Sequence, residues 1–328
     1  MKHVAKLSRI ILPLALLVGS ALAPAALAQS AGKPITLMVP TSSATAADIT
    51  SRLIQPILQQ RFGAPVVVEN RTGASGAIGM AAVVRAAPDG NMLLMSPSTM
   101  AMINLLQKDL NWNPADFAPV ARMASLYYCV VVTPTLPVSN ITELIALAKK
   151  EPGKLNFSTP GVGTPHHLVT ELFKQVTGVN VVHIPYKTSS GAVTDLAGGQ
   201  VQFAFQAVHS VMPLVKAGKL KLIATVTDGR TPWTPDTPTL KDAGIDGVVI
   251  NSWIGAFLPK ATPKETIDRY ARELNSVLNQ PAIKEELLKN GIVVNFGGPD
   301  EMAALLRRDS ALWKKVVEEG RIQLDSAS

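Results

Sequence analysis

Four groups of small hydroxyl residues recur along this chain, each just after an apolar run. They are Thr41, Ser42, Ser43 and Thr45; Ser96, Ser98 and Thr99; Ser158, Thr159 and Thr164, with Gly161 and Gly163 between them; and Thr188, Ser189 and Ser190. The chemistry they suit is anion capture. Where such a group opens a helix, the unpaired N–H groups of the first turn carry partial positive charge. Small residues let an anion approach that backbone, and hydroxyls add donors. Ser and Thr in these places also act as N-caps and turn formers with no ligand involved. A single loop favours that plainer reading, whereas four loops at successive strand ends favour a binding crevice.

Signals for catalysis are missing. The chain has no P-loop, no G-x-S-x-G, no G-x-G-x-x-G, no H-E-x-x-H and no C-x-x-C. His167 and Glu171 share a helix face at i, i+4, but two ligands without a third do not make a metal site. A packed His167 at a capped helix start is the simpler reading. Asp48, Glu69 and Asp195 lie near loops and form no carboxylate pair. Cys129, the one cysteine, sits in the strand-like "LYYCVVV" and is expected to be a buried structural thiol. No metal and no cofactor is expected.

The elements that must position these loops alternate. "ITLMVP" reads as a strand and 48–62 as a helix; "PVVVEN" as a strand and 77–86 as a helix; "NMLLMSP" as a strand. That is a βαβαβ order, which calls for a parallel sheet covered by helices. The pattern then restarts. "YYCVVVTP", "KLNFSTP", "NVVHIPY", "VQFAFQ" and "LKLIATV" read as strands, with helices at 140–150, after Pro165 and after Ser189. Asn140 with Glu143, and Gly178, supply a helix start and a helix stop. The last third predicts one strand, "SWIGAFLP", then helices at 263–279, 281–291 and 299–319, each with Pro at its start. Two α/β lobes with a helical tail result. The stretches 118–134 and 222–232 are the expected crossings between them, and two crossings make a hinge beside a cleft.

Composition narrows the class. Lys2, Lys6 and Arg9 precede an apolar run from Ile10 to Leu22, and "ALA" at 26–28 follows; this is the order of a cleavable secretory signal over residues 1–29. The run is shorter than the ~20 residues a membrane span needs. An exported, periplasmic protein is expected. The formal charge of +7 falls to +4 without those three cations, leaving 28 Lys and Arg against 24 Asp and Glu. These charges are scattered and lack aromatic interleaving, so no nucleic-acid binding is expected.

Several motifs carry a family likeness, in order and at matching spacing: "VVVENRTGASGAIG" (66–79), "AAPDGNMLL" (86–94), "HIPYKTSSGAVTDLAGGQV" (183–201), "AGKLKLIA" (217–224) and "SWIGAFLPKATPK" (252–264). Over essentially the whole mature chain they resemble the Bug-type periplasmic solute receptors of tripartite tricarboxylate transporters. The resemblance implies an α/β, two-lobe periplasmic binding protein of type II-like fold, each lobe a sheet flanked by helices, with a C-terminal helical tail. It implies capture of a small carboxylate and its delivery to the membrane permease subunits of an ion-driven transporter. The lobes expected are 30–122 with 228–328, and 123–227. A monomer is expected.

The resemblance also places two ligand loops, Thr41 to Ala47 and Thr159 to His167. Thr41, Ser42, Ser43, Thr45, Thr159, Gly163, Thr164, Pro165 and His167 are therefore candidate ligand-binding residues. Ser96, Ser98 and Ser189 join them from the strand ends. The first loop departs from the family's usual Phe-Pro-Pro-Gly-Gly-Ala-Thr-Asp: both glycines and two prolines are absent. The family's frequent Asp-Val-Met-Phe-Asp-Asn becomes Gln202 to Ala207, and His209 stands where Pro is common. Gln206 offers a dipole where an Asp would meet an ammonium group. His209 offers a donor or a positive charge near neutral pH. Both point to an acid without a free amine: an aliphatic di- or tricarboxylate, or an aromatic acid. Two other readings stay open, a periplasmic sensor subunit that presents its ligand to a signalling partner, and an exported enzyme, against which the missing nucleophile–base pattern counts.

Overall fold

The computed structural model describes residues 32–107, 110–227, 229–230, 234–248, 250 and 252–320. The expected signal segment, 1–29, lies outside the described residues.

Apolar runs become strands wherever both faces are covered. In the first half these are β1 (Ile35–Val39), β2 (Val66–Asn70), β3 (Met92–Pro97) and β4 (Phe117–Leu126). Between them lie α1 (Ala46–Phe62), α2 (Ala77–Val84) and the short α3 (Ile103–Leu106). The chain then makes β5 (Tyr128–Val132), α4 (Ile141–Lys150), β6 (Asn156–Thr159), α5 (Pro165–Thr177) and β7 (Val182–Pro185). Next come α6 (Ser189–Ala197), β8 (Phe203–Ala207), α7 (Val208–Lys216) and β9 (Lys221–Thr225). The last third holds β10 (Ser252–Pro259), α8 (Lys264–Leu278), α9 (Pro281–Lys289), β11 (Ile292–Gly297) and α10 (Pro299–Gly320).

Two sheets form. The first has the order β11-β4-β10-β3-β1-β2, the second β7-β6-β8-β5-β9. In the first, β1 is parallel to β2 and β3, while β10 runs antiparallel to β3 and β4. In the second, β6 is parallel to β7 and β8, and β5 runs antiparallel to β8 and β9. β4 leaves the first sheet at its carboxyl end, where Leu126 pairs with both Ser252 and Ile292. After Tyr127, β5 enters the second sheet where Tyr128 pairs with Ala207 and Cys129 with Thr225. One short crossover therefore sets the carboxyl ends of β1, β3 and β4 opposite those of β6, β7, β8 and β9. That arrangement builds a cleft between the lobes.

Two elements differ from the pattern-based expectation. β11 fills the gap between the predicted helices of the last third and becomes the edge of the first sheet. α7 follows β8 at once, although Pro213 lies within it. Of the expected crossing at 222–232, β9 supplies residues to Thr225, and Val226, Thr227, Gly229 and Arg230 continue outside any strand.

The core is shared. One buried cluster holds Leu37, Leu93 and Phe257 of the first sheet, Phe157, Phe203 and Phe205 of the second, and Trp313 and Val316 of α10. α10 reaches α5 across the lobes, where Gln175 Nε2 donates to Val316 O at 3.2 Å. A smaller cluster covers the other face of the second sheet, joining Cys129 and Ala204 to Val193 and Leu196 of α6 and Val211 of α7. Cys129 is fully buried, its Sγ 3.5 Å from Gln206 O, and burial raises its pKa, as a structural thiol requires.

Candidate ligand-binding site

The first loop joins β1 to α1. Thr45 is the N-cap, with extended backbone, and its Oγ1 accepts from Asp48 N–H. The same Oγ1 donates to Ser42 O at 3.0 Å, so in the 2.7 Å Thr41–Thr45 contact Thr41 is the donor. Ala44 has φ 61°, in the left-handed region. Its N–H donates to Asp48 Oδ2 at 2.9 Å. Asp48 is only 2% exposed and also accepts from Arg52 Nε and from Asn70 Nδ2, both at 2.9 Å to Oδ1. Asn70, at the end of β2, donates as well to Thr41 O. Burial alone would raise the Asp48 pKa; the hydrogen bonds from Arg52, Asn70 and Ala44 N–H outweigh it and hold the carboxyl below its usual range.

The loop turns without a glycine because Ala44 takes a left-handed conformation, which costs an ordinary residue about 1–2 kcal/mol. Ala44→Gly is expected to remove that strain against a smaller gain in unfolded-chain entropy. A net stabilisation of about 0.5–1 kcal/mol should appear in denaturant titration. A destabilised variant would show that Ala44 is not strained.

The second loop joins β6 to α5. Gly161 and Gly163 have φ 136° and 77°. Thr164 is the N-cap; its Oγ1 donates to Gly161 O at 2.7 Å and accepts from His167 N–H. Pro165 follows at the first helical position, where its missing N–H is harmless. Gly163 N–H donates to His167 Nδ1 at 3.1 Å. Thr159 Oγ1 meets His183 Nε2 at 2.6 Å and takes Gly161 N–H at 3.2 Å. The His183 ring lies in a stack, 4.9 Å from Phe157 and 4.2 Å from His167.

The structure divides the expected site residues. Ser42 and Ser43 are exposed at the mouth of the first loop, and Thr41, Thr45, Thr164 and Ser189 are half-buried. Ser96 and Ser98 are buried, with Ser96 Oγ on Pro97 O and Ser98 Oγ 3.1 Å from Ser252 Oγ inside the first lobe. Thr159, Gly163, Pro165 and His167 are buried beneath the second loop. Most hydroxyls thus shape the loops themselves. The backbone N–H groups of Ser42, Ser43, Ala46 and Ala47 in one lobe, and of Val162 and His166 in the other, have no partner among the described residues.

Gln206 is fully buried, and neither atom of its amide has a partner among the described residues. It lies on the α6–α7 face of β8, with Ala204 and opposite Cys129. His209, on the first turn of α7, is half-buried, and burial lowers its pKa. The expected positive charge near neutral pH is therefore not carried. The other described histidines behave alike: burial, then the neighbouring His209, pulls His166 down to about 3, and burial, then His183 and Lys174, pulls His167 down to about 3. Burial and Lys174 pull His183 down to about 4. The second lobe thus holds these histidines neutral at pH 7.

Asp48, Asn70 and His183 emerge as loop supports that the pattern did not pick out, although Thr45-x-x-Asp48 carries capping-box spacing. A cavity of about 340 Å³ lies beside the crossover, lined by Ser125, Tyr127, Thr227, Arg230 and Ser252 among others, and none of the loop residues borders it. Among the described residues no group of three or more His, Cys, Asp or Glu is placed to hold a metal.

The family model described as tripartite tricarboxylate transporter family receptor matches residues 50–322. A protein from Pseudomonas sp. strain P51, described as the UPF0065 protein in the tcbD-tcbE intergenic region, is 32% identical, covering 88% of this chain and 87% of its own. The solved structure of Rpa4515 from R. palustris with adipate superposes with TM-score 0.82 at 30% identity, covering 89% of this chain and 98% of that one. The periplasmic binding protein BugD superposes with TM-score 0.79 at 28% identity, over 89% of this chain and 99% of its own.

Proposed function

We infer that this protein, which belongs to the tripartite tricarboxylate transporter receptor family, captures a small carboxylate between its lobes and delivers it to a membrane permease. Members of this family are periplasmic solute receptors, and the relative bound to adipate is a carboxylate binder. The observation that carries the reading is the facing of the strand ends. Free backbone donors of one loop per lobe line the two sides of a single cleft, the arrangement suited to an anion with carboxylate ends.

The rest of the reading follows from this. Residues 1–29 direct export to the periplasm and are cleaved. The lobes divide at Tyr127, since β4 stays in the first sheet through Leu126. The protein works as a monomer, without catalysis or cofactor. Gln206 bears on the ligand's character. A buried amide without partners costs about 1–3 kcal/mol for each unsatisfied group, so it marks a place for a polar partner, a ligand oxygen or a water. An amide and neutral histidines offer an ammonium group no countercharge, so the ligand is an acid lacking a free amine.

The test is calorimetric titration with adipate, succinate, citrate, benzoate, glutamate and aspartate. Adipate or another amine-free acid should bind and the amino acids should not. Thr164→Val, which unties the second loop at its cap, should weaken that binding roughly ten-fold, the effect of one hydrogen bond near a charged group. Selective binding of the amino acids, or equal binding by Thr164→Val with the fold intact, would sink the corresponding part.

A further inference from the structure

The two loops are the same built unit. In each, a residue with positive φ precedes a threonine N-cap: Ala44 at 61° before Thr45, and Gly163 at 77° before Thr164. In each, the cap's Oγ1 accepts from the N–H of the third helical residue, Asp48 or His167. In each, that third residue is buried, and its side chain takes the N–H of the left-handed residue four positions back: Ala44 to Asp48 Oδ2 at 2.9 Å, and Gly163 to His167 Nδ1 at 3.1 Å. An ordinary capping box returns the third residue's side chain to the cap's own N–H. Here it reaches one residue further, which pins the left-handed turn.

We propose that Asp48 and His167 are equivalent positioning residues, one per lobe, that lock the turn before each helix so that the neighbouring free N–H groups face the ligand. The proposal rests on the carboxylate-binding reading above and deepens it. Neither side chain touches the ligand. Each consumes one loop N–H and holds the others in place, which spares the ligand the cost of ordering the loop on binding.

The acceptors differ in kind, and each is held by its own support. Asp48 is an anion whose charge Arg52 meets from the next turn of α1, and Asn70 of β2 donates to the same Oδ1. His167 is an uncharged ring held flat against His183 of β7; Glu171 and Lys174 of α5 are the charged groups beside it, with Glu171 Oε1 3.7 Å from Nε2. A neutral acceptor under the second loop puts no negative charge behind the donors that meet the anion.

Isotope-labelled protein tests the geometry without any ligand. A through-hydrogen-bond coupling between Gly163 15N and His167 15Nδ1 is expected at pH 7.5; its absence, with an exchange-labile Gly163 amide, overturns the proposal. Two variants then test the role with adipate as probe. His167→Phe keeps a ring against His183 and removes the acceptor, and adipate affinity should fall roughly ten-fold. His167→Asn restores an acceptor close to the position of Nδ1 while losing the stack. It should recover most of the affinity although its melting temperature stays below wild type. A purely structural histidine predicts the reverse, with affinity following stability through both variants, and that result refutes the positioning role. If wild type binds neither adipate nor any other acid of the panel, the functional reading fails, and the coupling measurement still decides the brace.

Discussion

Lowering the pH from 7 to 5 is expected to destabilise the protein by several kcal/mol through its buried histidines, a loss that the raised pKa of the buried Asp309 offsets only in part. Burial holds His166 and His167 at about 3 and His183 at about 4, and lowers His209 as well. An unfolded histidine titrates near 6.5, so between that value and the folded ones the unfolded chain binds protons that the native chain refuses. The stabilisation is present above about pH 6.5 and is lost as the pH falls toward 4. For His167, 5% exposed, the loss between pH 7 and 5 is about 2 kcal/mol, while the half-buried rings contribute less than their shifts suggest because solvent screens them. Asp48 has a lowered pKa too, but its contribution stays intact until the pH drops below about 3.9. The melting temperature should therefore fall by roughly 5–10 °C between pH 7 and pH 5. Thermal melts at constant ionic strength check this, and a flat profile across that window would falsify it. The loss belongs to the second lobe, so near-acid unfolding should expose amides of β6, β7 and α5 to hydrogen exchange first.

Gly291→Ala is expected to weaken ligand binding at least about ten-fold without touching the loops. Gly291 lies in the turn between α9 and β11, with φ 66°. A Cβ there would sit 2.4 Å from His209 Cβ and 2.9 Å from its Cα, on the first turn of α7 in the other lobe. Relief requires backbone to move, because His209 Cα belongs to the α7 start. The left-handed conformation adds about 1–2 kcal/mol of its own, and overpacking of this kind costs typically 1–3 kcal/mol. The contact flanks the crossover, since β11 begins at Ile292 opposite Leu126 and β8 ends at Ala207 opposite Tyr128. A wedge there spreads the lobes at their root. Solution scattering in saturating adipate should give a larger radius of gyration for the variant than for wild type. Equal radii and equal affinity would mean that this contact does not set the closed angle.

Much of the architecture was legible because the signals were local and strong. Thr164 and Gly178 bracket α5 as cap and stop, and the structure ends the helix there with Gly178 at φ 70°. Apolar runs such as "ITLMV" are buried at almost every position. β11 was harder to read: its burial is interrupted at Val293 to Phe296, the mark of an edge strand, and it is wedged between helices. α7 was hidden by Pro213, which usually argues against a helix and is tolerated here near the carboxyl end. The strand order, with β10 inserted between β3 and β4, depends on long-range pairing that no window of sequence contains.

At the site, the loops were visible as clusters of hydroxyls, but their internal wiring was not. Nothing in an alanine announces a left-handed backbone, so Ala44 gave no signal. His167 was read as a packed residue or a ligand contact, yet the partner that defines it is the N–H of Gly163. Such pairings appear only once the turn is built. The charge state of His209 likewise follows from its burial, which depends on α7 and on the neighbouring lobe.

The core shared through α10 has a bearing on how such a chain can be recombined. Trp313 and Val316, encoded at the far end of the sequence, pack into the same apolar mass as Phe157 and Phe203 from its middle. Domains exchanged freely between genes have cores of their own and few contacts across their boundaries. The middle segment here has no such autonomy: cut out, it would leave the α5 face bare to water. Replacing the middle segment with a foreign one would therefore require α10 to change with it, because Trp313 and Val316 complete the apolar mass that Phe157 and Phe203 belong to.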